Sequence, residues 1–181
     1  MGINVLSLFD GMSCGQIALE RAGIKVDNYF ASEIKPHAIK VTQHNYPKTI
    51  QMGDVAKITK SMLPKIDMVI GGSPCQDFSL ANKKRLGLNG AKSKLFFEYK
   101  RLVDELEPKY FLLENVNMPS DGYKRISQEL GIYPVNINSC LVSAAYRDRW
   151  YWTNIGPIDY DLFGNKYCAI PQPKDKHITL S

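Results

Sequence analysis

Four cysteines stand far apart in this chain, at positions 14, 75, 140 and 168, and no two form a C-x-x-C pair. That scatter argues against a structural zinc framework and predicts reduced thiols. Histidine is scarcer still. His37, His44 and His177 make no ligand pattern, so no metal is expected. No apolar run approaches the roughly 20 residues that a membrane span needs, and no charged-then-apolar leader opens the chain. Met1-Gly2 could begin a myristoylation signal, but Leu6 occupies the position where that signal needs Ser or Thr. Internal repeats and low-complexity stretches are also missing. What remains is a chain of 181 residues, 44% hydrophobic, with a formal net charge of +5 and a sequence pI near 8.9. This composition predicts one folded domain with a sizeable core. The basic balance is compatible with a polyanionic partner without requiring one.

Short apolar runs alternate with helical patterns, which predicts a doubly wound α/β fold with a parallel sheet covered on both faces. Strands are expected at Asn4–Leu8, Val26–Ser32, Thr49–Met52, Met68–Gly71 and Tyr110–Glu114. Helices are expected at Cys14–Ala22, Pro36–Asn45, Ser93–Leu106 and Gly122–Leu130, with Gly23 and Gly131 as stops. Val135–Ser139 and Arg149–Ile155 leave no room for a helix between them. They predict an antiparallel hairpin at the sheet edge. Beyond Gly156, three prolines and no clear periodicity predict irregular chain.

The first strand runs into Phe9-Asp10-Gly11-Met12-Ser13-Cys14-Gly15, which opens a helix. Glycines there let a ligand approach the backbone, and a helix N-terminus favours a negative group. The spacing is not G-x-G-x-x-G, which weighs against a nicotinamide or flavin. An empty strand-to-helix turn is an equal reading of this stretch alone. Glu33, some 20 residues on at the end of the second strand, is placed to accept from both ribose hydroxyls. Asp54 closes the third strand, where it could accept from an adenine amino group or simply cap the next turn. The three strand ends together suit a nucleoside with a short zwitterionic tail, such as S-adenosylmethionine. The candidate cofactor residues are Phe9, Asp10, Gly11, Met12, Ser13, Cys14, Glu33, Asp54, Val55 and Pro74.

Two further motifs end strands. Gly72-Ser73-Pro74-Cys75-Gln76 follows Met68–Gly71, and Glu114-Asn115-Val116 follows Tyr110–Leu113. A thiol and a carboxylic acid on neighbouring strand ends suit covalent chemistry on an electron-poor ring. With Phe9-Asp10-Gly11, Gly53-Asp54-Val55 and Arg147-x-Arg149 they form five ordered motifs over roughly residues 3 to 156. In this the chain resembles the DNA (cytosine-5)-methyltransferases, most nearly the de novo branch and related phage and bacterial enzymes. Ala145 stands where many members place Gln, as in that branch.

The resemblance implies a Rossmann-like methyltransferase sheet, S-adenosylmethionine as methyl donor with S-adenosylhomocysteine as product, and duplex DNA as acceptor. It implies Cys75 as nucleophile, Glu114 as the acid holding the base, and Arg147 and Arg149 as electrostatic supports. The target base would be flipped out of its stack. Lys83 and Arg85, with Ser79 and Asn82, lie in a basic stretch after Cys75 and are candidate substrate contacts; an ordinary solvated loop is the alternative. Trp150 and Trp152 read better as packing than as base-stacking residues. Residues 1–156 are read as the catalytic core and 157–181 as the start of a connection to a target-recognition region. Three readings of the whole stay open: a fragment, one half of a split enzyme with a C-terminal partner, or a non-catalytic regulatory or DNA-binding subunit. A tRNA cytosine methyltransferase shares the Pro-Cys and Glu-Asn-Val motifs and is the remaining enzyme alternative. The expected location is the cytoplasm of a bacterial or phage-infected cell, or the nucleus of a eukaryotic one, with a restriction-modification setting in view.

Overall fold

The computed structural model of the chain describes residues 2–73 and 94–179. A seven-stranded sheet organises them, in the order β3-β2-β1-β4-β5-β7-β6. Its parallel part comprises β1 (Ile3–Leu8), β2 (Val26–Ser32), β3 (Ile50–Gln51), β4 (Met68–Gly71) and β5 (Tyr110–Val116). β7 (Asp148–Thr153) runs antiparallel to β5, and β6 (Val135–Asn138) antiparallel to β7 at the edge. The helices are α1 (Cys14–Arg21), α2 (Pro36–Asn45), α3 (Lys94–Leu106) and α4 (Ser120–Leu130). Among the described residues no helix is long and apolar enough to cross a membrane.

Successive strand residues face opposite sides of the sheet, and both sides are covered. On one face Leu6, Leu8, Phe30, Val69 and Leu113 pack with Phe96, Tyr99, Leu102 and Leu106 of α3 and with Ile126 of α4. The other face carries Val5, Tyr29, Ala31, Met68 and Ile70 against Leu19 of α1. The α3 sequence places its buried residues at helical spacing. α2 begins with Pro36, whose fixed φ suits a first helical position. α4 stops where Gly131 turns into the left-handed region at φ 66°.

β2, α2 and β4 have the predicted bounds. Elsewhere tertiary pairing moves them. β5 continues two residues past Glu114 because Asn115 and Val116 find partners in Trp150 and Arg149 of β7. β7 begins at Asp148 and stops at Thr153, opposite Leu112, rather than spanning Arg149–Ile155. A second small sheet, β8 (Ile158–Tyr160) with β9 (Lys166–Cys168), occupies chain expected to be irregular. Its base is tied to the main body by Tyr133, whose amide donates to the Lys166 carbonyl at 2.7 Å.

Trp152 is the largest wholly buried side chain and fastens β7 to α4, its indole Nε1 donating to Ser127 Oγ at 2.9 Å. Trp152→Ala should therefore cost about 3–5 kcal/mol in urea unfolding; a loss below about 1 kcal/mol would mean that α4 does not depend on this contact.

Candidate active site

β1, β2, β4 and β5 all point their carboxyl ends to one sheet edge, where open α/β sheets bind ligands. A cavity of about 390 Å³ opens there, lined by Phe9, Gly11, Ser32, Glu33, Ile34, Lys35, Asp54, Val55, Gly72 and Leu95. That volume lies within the range of small-molecule sites. A larger hollow of about 580 Å³ lies beside the start of β2, lined among others by Glu20, Lys25, Asp27 and Lys48. None of its lining residues belongs to a strand-end motif, so the smaller cavity is the one on which the motifs converge.

The turn after β1 is wound tightly. Phe9 and Ser13 adopt left-handed φ values of 58° and 60°, and Gly11 between them one of 61°. Two non-glycine residues there cost conformational energy that the surroundings must offset. Two carboxylates do so. Asp10 accepts from the Ser13 hydroxyl and from Tyr29 Oη, the latter at 2.8 Å. Burial, followed by the Asp10 charge, pushes the Tyr29 phenol well above its ordinary range, so it stays a proton donor. Glu33 holds the other side. Its Oε2 accepts from the Gly11 amide at 2.9 Å, and its Oε1 from the amides of Ile34 at 2.8 Å and Lys35 at 2.9 Å.

This arrangement sorts the candidate cofactor residues. Phe9, Gly11, Glu33, Asp54 and Val55 line the cavity; Asp10, Met12, Ser13 and Cys14 are not among its lining residues. Both Asp10 oxygens face the fold. A carboxylate offers about four lone-pair positions, and three on Glu33 are taken by amides. One remains on Oε2, enough for one hydroxyl rather than the pair first expected. Asp54 caps the 3-10 turn Val55–Lys57 by accepting from the Ala56 amide at 3.1 Å, and it lines the cavity as well.

On the far side of Gly72 stands Glu114. Arg147 Nη2 lies 3.3 Å and Arg149 Nε 2.9 Å from its Oε1. The Arg149 approach is close enough for an ion pair but out of line for a hydrogen bond. Both arginines therefore converge on one oxygen of one carboxylate. Oε2 is turned toward Gly72, where a Cβ would sit 3.1 Å from it. Neighbouring groups support the arginines. Asn138 Oδ1 accepts from the Arg147 amide at 3.1 Å. The Asp148 carboxylate is occupied by Asn136 at 2.6 Å and Asn117 at 3.4 Å, and the Asp148 carbonyl takes Arg149 Nη1 at 2.7 Å.

Pro74, Cys75, Ser79, Asn82, Lys83 and Arg85 lie outside the described residues. The chain leading to them is fixed. Asn115, 1% exposed, donates through Nδ2 to Ser73 Oγ at 3.1 Å, and its Oδ1 accepts from the Val116 amide at 2.8 Å. Asn115 thus ties the end of β5 to the residue two before Cys75. The motif reading named it without a role. The signal available was its place after Glu114, which on a strand turns it to the opposite face.

A family model described as C-5 cytosine-specific DNA methylase matches residues 3–129. The chain is similar to the orphan methyltransferase M.SPRI of Bacillus phage SPR, 31% identical over 176 residues, covering 96% of this chain and 36% of that protein. It is also similar to the type II methyltransferase M.NgoBV of Neisseria gonorrhoeae, 35% identical over 153 residues, covering 82% and 36% respectively. The chain spans about a third of the length of the curated relatives it matches. Among solved structures, a prophage-encoded E. coli protein described as a DNA modification methyltransferase superposes with a TM-score of 0.68 at 26% identity, over 84% of this chain and 46% of that one.

Asn115→Leu removes the donor to Ser73 and leaves the buried hydroxyl without that partner. It should lower stability in urea by about 1–3 kcal/mol, and Ser73→Ala in the same background should restore part of the loss. A fully stable Asn115→Leu protein would show that the contact carries no weight.

Proposed function

The chain belongs to the C-5 cytosine-specific DNA methylase family, and from that premise we propose that it forms the cofactor-binding and catalytic part of an S-adenosylmethionine-dependent methyltransferase acting on C5 of cytosine in duplex DNA. The observation that carries this reading is Glu114, held on one oxygen by Arg147 and Arg149 and turned with the other toward Gly72 of the cavity wall. Target choice is assigned to polypeptide outside this region, in the same chain or in a partner subunit.

The cavity suits the proposed cofactor on three grounds. Its volume accommodates a nucleoside with a short tail. Glu33 Oε2 keeps one acceptor position for a ribose hydroxyl. Ile34, 69% exposed at the rim, presents an apolar face to a purine. Phe9, Gly11, Glu33, Asp54, Val55 and Leu95 would hold the cofactor, with Pro74 as a further candidate. S-adenosylmethionine supplies an electrophilic methyl group on a sulfonium.

The rest of the chemistry falls to the chain. Cytosine C5 is a weak nucleophile. When the Cys75 thiolate bonds to C6, the C5–C6 π pair moves to C5, which can then attack the methyl carbon. Glu114 would receive the N3 and N4 edge of the flipped base: the N4 amino group donates to its open oxygen, and a proton held between Glu114 and N3 makes C6 more electrophilic. Arg147 and Arg149 fix that carboxylate and add positive charge that favours a thiolate nearby. Once a base removes the C5 proton, the double bond re-forms and Cys75 leaves. Ser79, Asn82, Lys83 and Arg85 are proposed to meet the DNA.

The test is transfer of labelled methyl from S-adenosylmethionine to duplex DNA, with the chain alone and with a target-recognition polypeptide of a relative supplied. Incorporation by the wild type and none by Cys75→Ala is expected, with cofactor binding retained in that variant. Incorporation independent of Cys75 would overturn the mechanism, and preference for RNA would move the substrate class. Glu33→Ala should weaken S-adenosylhomocysteine binding by about tenfold or more in a calorimetric titration, since it removes an acceptor and loosens the Gly11 turn. Unchanged affinity would remove Glu33 from the cofactor site.

A further inference from the structure

Two walls of the cofactor cavity come from elements that are distant in sequence. One is Asp54–Val55 with its 3-10 turn; the other is Leu95, in the first turn of α3. Arg101 bridges them. Its guanidinium makes five hydrogen bonds, and Nη2 also lies 2.8 Å from Glu98 Oε2. Nε donates to Glu98 Oε2 at 2.9 Å, and Nη1 to both oxygens of Glu105 at 3.0 and 3.1 Å. Nη2 donates to the carbonyls of Val55 at 3.3 Å and Ile58 at 3.1 Å. The two carboxylates come from the helix itself at i−3 and i+4, and they orient the fork. The two carbonyls belong to the turn that supplies Val55 to the cavity lining. Only a planar fork can serve two carboxylates and two carbonyls at once; a lysine has three donors on a single nitrogen.

We propose that Arg101 is a positioning residue for the cofactor: it clasps the Val55–Ile58 turn to α3 and so sets the distance between the Asp54–Val55 wall and the Leu95 wall of the cavity. This rests on the reading of that cavity as the S-adenosylmethionine site. Arg101 touches no cavity surface, so its effect travels through the turn. Glu98 and Glu105 orient the guanidinium, and the carbonyls of Val55 and Ile58 anchor the wall.

The experiment is calorimetric titration of the full 181-residue chain with S-adenosylhomocysteine, comparing wild type, Arg101→Met and Arg101→Lys, each checked for folding by circular dichroism. Arg101→Met should bind on the order of tenfold more weakly, and Arg101→Lys, keeping the charge but not the fork, should fall between. Arg101→Lys keeps the test decisive if Arg101→Met does not fold. The same pair is measured in an Asp54→Ala background, where the turn has lost its cap. If Arg101 acts through that turn, its effect on affinity should shrink there; additive losses would place its action elsewhere and overturn the proposal. A wild type that binds, with both variants matching it within about twofold, would overturn this inference alone. A wild type that does not bind would remove the cofactor reading as well.

Discussion

The site depends on a place where the chain has no side chains. Gly71 and Gly72 end β4 at the centre of the sheet. A Cβ on Gly71 would stand 3.0 Å from the Tyr99 ring and 3.1 Å from the Leu8 carbonyl. One on Gly72 would stand 3.1 Å from Glu114 Oε2. The bare backbone therefore lets three things meet: α3 from below through Tyr99, β1 from one side through Leu8, and the Glu114 carboxylate from the other. Gly72 also forms part of the cavity wall, so at this point the wall facing the carboxylate is bare backbone. On the proposed reading, a cofactor in the cavity and a base at Glu114 would meet there, the proximity on which such catalysis depends.

Around that point the charges are placed for direction more than for strength. Arg147 is 58% exposed, and its ion pair with Glu114 is screened by solvent, so it adds little to folding. Arg149, 21% exposed, is better sheltered. What the pair achieves is asymmetry. Both guanidiniums converge on Oε1, leaving Oε2 turned toward the bare backbone of Gly72. The Asp148 carboxylate, engaged by Asn117 and Asn136, is kept from competing for Arg149. The same economy appears in the cofactor turn, where three of the four acceptor positions of Glu33 serve backbone amides and one is left over.

Much of this was legible in the sequence because burial on both faces writes short apolar runs such as Met68–Ile70 and Tyr29–Ala31. Strand ends were less legible: the limits of β5 and β7 follow from mutual pairing of Leu112–Val116 with Arg149–Thr153, which neither segment announces alone. The β8–β9 hairpin was missed because Ile158, Asp159 and Tyr160 are all exposed, so no alternation marks them. Glu33, Asp54, Glu114 and the two arginines could be singled out because motifs at strand ends share one edge. The bond from Tyr29 to Asp10 spans 19 residues and is invisible to a local reading. Arg101 looked like one more charge on an amphipathic helix, since its carbonyl acceptors lie more than 40 residues upstream.

The glycine turn shows why such distant partners matter. Left-handed φ at Phe9 and Ser13 costs of order 1–3 kcal/mol each, and local sequence offers nothing that requires it. The conformation persists because Asp10 holds Ser13 and the buried Tyr29 while Glu33 holds the Gly11 amide. A turn over-determined from both sides does not have to be ordered by its ligand, so less of the ligand's interaction energy goes into shaping the site. On the proposed cofactor reading Glu33 then has a double effect, as a direct acceptor and as a brace for the turn. Removing its carboxylate should therefore weaken binding by more than one lost hydrogen bond, whereas shortening it to Asp would separate the two roles, since the shorter arm cannot reach the Gly11 amide and the amides of Ile34 and Lys35 together.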